Sequence, residues 1–335
     1  MDRVALIVGI DAYDNAPHLA ACVADAQAME AVSARHKGLD QRVNYACKTL
    51  LGIGGSRVTR PDLRAACRSL FEKRNGGDLV LFYFSGHGVL GTTGGYLCTS
   101  DAAKDDWGVP MQEIVDMAVG SAAHDVLLIL DCCHSGDFAN PGILNSQGGQ
   151  YPLAAIREGM TVIAASRDSE PAVEAGGHGL FTAAILDALE GGAADHMGWV
   201  TAPAIYAYVR RRFGGWTTQK PVYKSHAADV TVIRECEPLI DRLKLREMIA
   251  LFPTADTKYA LDEEYEPEDE HGNVKEPVNA EKVERAKLFK DYRDAGLLKP
   301  SRAGEQLFWT ARRRGTVELT PRGKEYWWLA KNNKI

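Results

Sequence analysis

Four apolar runs constrain the fold of this 335-residue chain more than any other feature of its sequence. The runs are rich in Val, Ile and Leu: RVALIVGI (3–10), DLVLFYFSGHG (78–88), HDVLLILDCC (124–133) and MTVIAAS (160–166). Unbroken apolar runs of this length are typical of strands that are buried on both faces, as in a parallel sheet. Segments of helical composition, such as 20–34 and 59–73, lie between the runs. Strands that alternate with helices predict an α/β fold with a mainly parallel central sheet flanked by helices.

This alternation ends near Arg234, and the composition then changes. An acidic stretch, LDEEYEPEDEHGNVKEP, is followed from residue 279 by a basic and aromatic segment. We therefore predict a first domain over 1–234 and a smaller α+β domain over 235–335. The final part of the smaller domain resembles a winged helix, because a helix is followed by TVELTPRGKEYW, which has the pattern of a strand, a turn and a helix.

The composition excludes several classes of protein. An apolar fraction of 45% is ordinary for a globular protein, and a formal charge of −6 argues against wholesale nucleic-acid binding. No apolar run approaches the ~20 residues that a membrane span needs. The N-terminus lacks the basic region of a signal peptide, so we expect a cytoplasmic protein with no membrane partner. Seven irregularly spaced cysteines without a CxxC pair predict neither disulfides nor a structural zinc site.

Two of the predicted strands end in residues of reactive type. One ends in SGHG, which contains His87, and the other ends in DCCHSG. The carboxyl ends of parallel strands meet at one edge of a sheet, where a histidine can deprotonate a cysteine. Side chains alternate along a strand, so Asp131 and Cys133 point the same way while Cys132 and His134 point the opposite way. The pattern predicts a Cys–His pair in which only one of the two cysteines faces the cleft.

The motifs SGHG and DCCHSG resemble those of the caspase-like cysteine peptidases, in particular metacaspases and bacterial orthocaspase-like relatives. The resemblance covers residues 3–234 and implies the caspase–hemoglobinase fold. It implies that Cys133 is the nucleophile and His87 the general base and acid. The 46 residues that separate them are close to the ~50 seen in caspases. We predict that the backbone N–H groups of Gly88 and Cys133 form the oxyanion hole.

The resemblance also implies cleavage after Arg or Lys. Metacaspases bind these side chains in an acidic pocket, and the matching residues are Asp131, Asp25 within AACVADA, and Ser85. Caspases instead bind aspartate with an arginine from the N-terminal region, but residues 4–34 contain no Arg or Lys. We therefore expect protein or peptide substrates with a basic residue at the cleavage position.

Each candidate residue also has a structural alternative. These alternatives are His87 as a core histidine, Cys133 as a buried structural thiol, Asp131 as a cap and Asp25 as a solvated helix acid. A metal site built from 132–134 and His87 is disfavoured, because adjacent strand residues diverge and cannot share one ion. The other histidines, including His178, have no predicted role beyond the surface or the core.

The resemblance leaves activation open. Many metacaspases need calcium, and Asp105, Asp106 and Asp137 lie in the relevant region, but the stretch after Cys133 lacks a later acid. The sequence therefore predicts no required cofactor and does not support calcium. No Arg or Lys occurs between residues 137 and 155, which argues against maturation by self-cleavage in that linker.

Control by binding is the remaining prediction. We expect residues 235–335 to hold a signalling nucleotide or an activating protein, and binding to order loops at 88–108 and 137–155. The candidate contacts for an anionic nucleotide are Trp309, Arg312, Arg313 and Arg314. By analogy with bacterial caspase-like proteases, such control belongs to stress or antiphage defence. The alternative is a signal-binding or nucleic-acid-binding regulator with an inert caspase-like scaffold.

Overall fold

The computed structural model describes residues 2–38, 40–72, 74–76, 78–91, 94–132, 156–165, 174–175, 177–213, 221–227, 230–268, 273–274 and 278–335. The chain divides into two compact units. The first unit comprises Met1–Ala194 and Gly198–Glu237, and the second comprises Asp195–Met197 and Pro238–Ile335.

The first unit alternates strands and helices. Its strands are β1 (Arg3–Ile10), β2 (Ala46–Gly52), β3 (Leu79–Ser85), β4 (Gly88–Gly91), β5 (Gly94–Ala103), β6 (Asp106–Pro110), β7 (Asp125–Asp131), β8 (Met160–Ala164), β9 (Glu174–Ala175), β10 (His178–Gly179), β11 (Trp199–Thr201), β12 (Val222–His226) and β13 (Val232–Glu235). Its helices are α1 (Cys22–Ala34), α2 (Arg60–Glu72), α3 (Met111–Gly120), α4 (Leu180–Asp187) and α5 (Ala202–Arg212). One π-helical turn, Ala188–Gly192, continues α4.

The central sheet has the strand order β12-β8-β7-β3-β1-β2. Every pair is parallel except β12 with β8. Successive strand residues face opposite sides: Leu6 lies in a core cluster with residues of α2 and α3, whereas Ile7 lies in a second cluster with residues of α1, α4 and α5. This arrangement confirms the predicted mainly parallel sheet flanked by helices, and both faces of the sheet are buried as the unbroken apolar runs require.

Three parts of the first unit differ from the sequence expectation. The edge strands β2 and β12 were not predicted, because their side chains are partly exposed and their sequences are not continuously apolar. The segment predicted as a glycine-rich loop at 88–108 instead forms the antiparallel sheet β4-β5-β6. Leu97 of β5 is fully buried, and this burial outweighs the loop tendency of the neighbouring glycines.

Helix α1 lies unusually close to the end of β1. A Cβ atom at Gly9 would lie 2.3 Å from the carbonyl oxygen of Cys22 and 2.6 Å from Cβ of Ala26, so only glycine permits this approach. The Asp11 carboxylate accepts the backbone N–H groups of Cys22 and Val23, at 2.9 and 3.3 Å. This capping starts the helix at the strand end and brings its first turn to the carboxyl edge of the sheet.

The second unit is a small α+β structure. Its elements are α6 (Arg242–Leu251), β14 (Tyr259–Ala260), α7 (Ala280–Asp294), β15 (Leu298–Pro300), α8 (Leu307–Arg312), β16 (Thr316–Leu319) and α9 (Pro321–Lys331). The strands form an antiparallel sheet in the order β14-β16-β15. Phe252, Phe289 and Tyr292 are fully buried, so much of its aromatic content is core. In neither unit is any described helix long and apolar enough to cross a bilayer.

Candidate active site

Three neighbouring strands end side by side at the carboxyl edge of the sheet. Gly9 of β1 pairs in register with Ser85 of β3, and Ser85 pairs in register with Asp131 of β7. The residues that follow these three positions therefore start from one edge, as expected for the site of an open parallel sheet.

The end of β7 keeps the side-chain alternation of a strand. Cys132 is fully buried in the core cluster that contains α2 and α3. Asp131 instead accepts a hydrogen bond from Thr182 of α4, which packs on the opposite face of the sheet. The predicted nucleophile Cys133, its oxyanion-hole N–H, His134 and Asp137 lie outside the described residues.

His87 is half-buried and held in a defined orientation. Its Nε2 lies 2.8 Å from the carbonyl oxygen of Pro17, and its backbone N–H donates to the Tyr13 hydroxyl at 2.8 Å. The Tyr13 ring lies 4.7 Å from the imidazole, and a Cβ at Gly86 would come within 2.6 Å of the Tyr13 hydroxyl oxygen. A carbonyl oxygen can only accept, so in the neutral imidazole Nε2 carries the hydrogen and Nδ1 retains its lone pair. Gly88 begins β4 directly after this histidine.

The three predicted pocket residues lie together and are almost completely buried. The exposed fractions are 1% for Asp25 and 2% each for Ser85 and Asp131. The Ser85 hydroxyl donates to Oδ2 of Asp25 at 3.4 Å. Asp25 is therefore not the solvated helix acid of the alternative interpretation.

The carboxylates of Asp25 and Asp131 lie close together in this pocket, and their negative charges repel each other. Burial, followed by repulsion from Asp131, raises the pKa of Asp25 to about 6, although hydrogen bonds from His178 and Gly179 oppose the shift. Burial also raises the pKa of the neighbouring Cys22 thiol well above its ordinary value, with further contributions from the nearby carboxylates. Cys22 lines the site as a neutral thiol and is not an activated nucleophile.

Two further residues complete the pocket, and the sequence prediction missed both. His178 belongs to β10 and Thr182 to α4. His178 Nδ1 lies 2.7 Å from Oδ1 of Asp25. Thr182 Oγ1 donates to Oδ2 of Asp131 at 2.7 Å and lies 2.6 Å from the hydroxyl of Tyr83. A signal was present in the sequence, because His178 is flanked by glycines in GGHGLF, as His87 is in SGHG.

Two of the arginines that were predicted to contact a ligand form ion pairs with acids of the second unit. Arg313 forms a 2.7 Å ion pair with Glu305 and lies over the ring of Trp309, which is 38% exposed. Arg314 lies 3.5 Å from Glu263. Arg312 stacks over the ring of Phe308, and its buried Nε has no hydrogen-bond partner.

Of the acids considered for calcium, the structure describes Asp105 and Asp106, while Asp137 lies outside the described residues. Asp106 is ion-paired with Arg60, and Asp105 adopts a left-handed turn conformation with φ of 66°. Within the ranges that the structure describes, no three His, Cys, Asp or Glu side chains are grouped so that they could hold a metal ion.

The family match agrees with this fold. The caspase domain of the peptidase C14 family matches residues 2–232, so the chain belongs to the caspase-domain peptidases. No curated protein sequence matches the chain. Among solved structures, protein GSU0716 from Geobacter sulfurreducens is similar, with a TM-score of 0.50 and 17% identity over 71% of this chain and 100% of that one. That similarity is one of fold.

Proposed function

We propose that the chain is a cysteine endopeptidase that cleaves after Arg or Lys. One observation carries this proposal: a buried, crowded acidic pocket lies at the same sheet edge as an oriented histidine. Asp25, Ser85 and Asp131 form the pocket, and His87 follows Ser85 by two residues. The caspase-domain family supplies the reaction class, which is peptide-bond hydrolysis by a thiolate.

The oriented imidazole supports a Cys–His dyad. With Nε2 bonded to the Pro17 carbonyl, Nδ1 of His87 is the atom that accepts the proton of the Cys133 thiol. The thiolate attacks the scissile carbonyl carbon, and the N–H groups of Gly88 and Cys133 hold the resulting oxyanion. His87 returns the proton to the leaving amine. Water, deprotonated by His87, then attacks the thioester, releases the acid product and restores the thiol.

The neighbouring cysteines support Cys133 as the nucleophile. Cys132 is fully buried in the core, where no substrate reaches it. Burial keeps the Cys22 thiol neutral. The alternation predicted from the sequence puts Cys133, two residues after Asp131, on the same side as Asp131.

The pocket supports a preference for a cationic side chain. Two buried carboxylates repel each other, and an arginine or lysine side chain removes this repulsion when it binds between them. An acidic side chain would add a third negative charge and would be rejected by several kcal/mol, since like charges buried together are strongly unfavourable.

The second unit is proposed to control the peptidase by binding an anionic nucleotide or an activating protein during bacterial stress or phage infection. Two of its features support this role. Arg312 has a buried Nε without a hydrogen-bond partner, and Arg313 lies over the ring of the partly exposed Trp309. Asp195–Met197, which follow α4 closely in the chain, belong to the second unit, so that unit includes a segment that is near α4 in sequence.

Hydrolysis of fluorogenic peptides tests the proposed function. Peptides carrying Arg, Lys, citrulline or Asp at the cleavage position are compared with the wild type, Cys133→Ala, Cys132→Ala and His87→Ala. We expect cleavage after Arg and Lys, a loss of at least about 10³-fold in Cys133→Ala and His87→Ala, and retention of most activity in Cys132→Ala. Full activity of Cys133→Ala, or a preference for Asp, would contradict the proposal. An inert scaffold would cleave none of the peptides under any condition.

Control is tested separately on the full-length protein. Peptide cleavage is measured with and without extract from phage-infected bacteria, in the wild type and in a variant in which Arg312, Arg313 and Arg314 are replaced by alanine. We expect the extract to activate the wild type and not the variant. An equal response of both proteins would remove these arginines from the proposed site.

A further inference from the structure

His178 contacts the acidic pocket from its solvent side. Its imidazole Nδ1 lies 2.7 Å from Oδ1 of Asp25. The side chain of His178 is 32% exposed, while that of Asp25 is 2% exposed. The histidine is thus the accessible member of a pair whose acid is buried.

One short segment holds both acids of the pocket. The backbone N–H of Gly179 donates to both carboxylate oxygens of Asp25, at 3.3 Å each. Thr182, one turn into α4, donates to Asp131. Because His178 and Gly179 precede α4 directly, the start of this helix orients the two carboxylates together.

Within the described residues, the surroundings of Asp25 contain acidic, hydroxyl and thiol groups and one basic group. The titratable groups that face it from the described elements are Asp131 on β7, Tyr83 on β3, Cys22 on α1 and His178 on β10. Asp131 raises the pKa of Asp25 by repulsion, and burial keeps Tyr83 and Cys22 neutral. His178 is the basic group among these neighbours, and its hydrogen bond opposes the effect of Asp131.

A second His–Asp pair has a similar distance between its nitrogen and oxygen atoms but lies in more exposed surroundings. His124 Nδ1 lies 2.8 Å from Oδ2 of Asp125 at the amino end of β7. That histidine side chain is 51% exposed and that acid 16% exposed. Asp125 also accepts a hydrogen bond from the Thr231 hydroxyl. The His124–Asp125 pair is an ordinary surface contact. The change His124→Ala therefore serves as a matched control.

We infer that His178 is a positioning residue for cation recognition: its Nδ1–H holds the Asp25 carboxylate ionised and leaves Oδ2, beside Ser85, to face the substrate's basic side chain. The inference rests on the proposed specificity for Arg and Lys. Without the imidazole, Asp25 would retain its proton to higher pH, and its carboxylate would lose the contact that sets its orientation. His178 touches no reacting atom in this scheme, so it acts on KM for basic substrates rather than on bond cleavage.

The test compares Arg peptides with citrulline peptides, which are similar in shape but uncharged. The ratio of kcat/KM for the two peptides is measured from pH 5.5 to 8.5 in the wild type, His178→Ala, His178→Asn and His124→Ala. In His178→Ala we expect the midpoint of the pH profile to rise by about one unit from about 6, which lowers the ratio about threefold near pH 6.5 and about eightfold at pH 5.5. The loss should appear in KM, while kcat for the citrulline peptide changes less than about twofold.

The conservative variant separates positioning from general damage. In His178→Asn the new side-chain amide would place an N–H near the position of Nδ1, so this variant should recover most of the ratio, and His124→Ala should match the wild type. If His178→Ala does not fold, His178→Gln replaces it, because its longer side chain misplaces the donor. A wild-type ratio and midpoint in the Ala or Gln variant would overturn the inference while leaving the Arg preference intact. A wild type that cleaves both peptides equally would instead overturn the proposed specificity and the inference with it.

Discussion

Two acids with largely buried side chains, Asp25 in the first unit and Glu305 in the second, have opposite surroundings. In the second unit, Glu305 accepts hydrogen bonds from Arg313 at 2.7 Å and Thr310 at 3.1 Å. In the first unit, Asp25 is held by a hydroxyl, a backbone amide and an imidazole, and the nearby Asp131 raises its pKa. Both carboxylates are removed from water, but only Glu305 has an arginine of its own unit as its partner.

Under the proposed function, this difference separates a structural acid from an acid that recognises the substrate. A buried carboxylate that is matched by an internal cation stabilises the fold and has little to offer a ligand. Asp25 and Asp131 repel each other, and a cation that enters between them would relieve this repulsion. Such local disagreement with the rules of stability is expected at functional sites.

The largest effect is expected when both acids of the pocket are neutralised. In a double variant, Asp25→Asn with Asp131→Asn, we expect the kcat/KM ratio of Arg to citrulline peptides to fall on the order of 10³-fold, because the cation loses both charges. The change Glu305→Gln should leave the ratio unchanged, since that acid belongs to the second unit's internal ion pair. A double variant that still prefers Arg strongly would mean that other acids form the pocket.

Stability should respond to the two acids with opposite signs. We expect Glu305→Gln to lower the free energy of unfolding by up to about 1 kcal/mol, because it removes the charge from an ion pair whose Arg313 side chain is half-exposed. Asp25→Asn should be neutral or stabilising at pH 7. The fold favours protonated Asp25, so its contribution to stability is complete below pH 3.8 and is lost as the pH rises through about 6. Asparagine cannot ionise and keeps that contribution.

Chemical denaturation between pH 4 and pH 8 measures this difference. The stability gain of Asp25→Asn over the wild type should be absent near pH 4 and should grow as the pH passes through about 6. A gain that is independent of pH would show that Asp25 has the same pKa in the folded and unfolded chains. That result would remove the electrostatic contrast with Glu305.

The pH dependence of activity gives a smaller effect. Protonation of Asp25 removes one of the two charges, so the Arg-to-citrulline ratio should fall up to about tenfold per unit as the pH drops below about 6. Both peptides are cleaved by the same Cys–His dyad, so the titration of the dyad does not affect the ratio of their kcat/KM values. In Asp25→Asn the ratio should be low and independent of pH over this range. A wild-type ratio that stays constant from pH 5 to pH 8 would argue against Asp25 as the titrating group.

The smallest expected effect concerns a neutral donor. Thr182→Val keeps the shape of the side chain but removes the hydrogen bond to Asp131, and we expect the Arg preference to change by about fivefold, which is the value of one such bond. The change Thr201→Val is the control, because Thr201 caps α5 away from the pocket. Loss of the preference comparable to that of the double variant would show that Thr182 organises the pocket rather than supporting it.

The sequence alone determined the central strands and the main motifs. β1, β3, β7 and β8 were predicted because a strand that is buried on both faces needs an unbroken apolar run. His87 and Asp131 were found because short motifs mark the strand ends. The edge strand β2 was missed because a half-exposed strand carries polar residues, and β5 was missed because its burial comes from neighbours distant in the sequence.

Only the tertiary structure decided which side chains complete the site. The family resemblance predicted Asp25 as a pocket residue and left a solvated helix acid as the alternative. The tertiary structure decided between them, because Gly9 allows α1 to approach the end of β1, where Asp25 is buried. His178 contacts Asp25 across 153 residues of sequence, and local periodicity carries no information about a contact of that range. The pKa of Asp25 likewise depends on Asp131, which reaches it through the parallel register of the sheet. Hydrophobic patterning is local and can be read along the chain, whereas burial and the pairing of charges depend on how distant segments pack together.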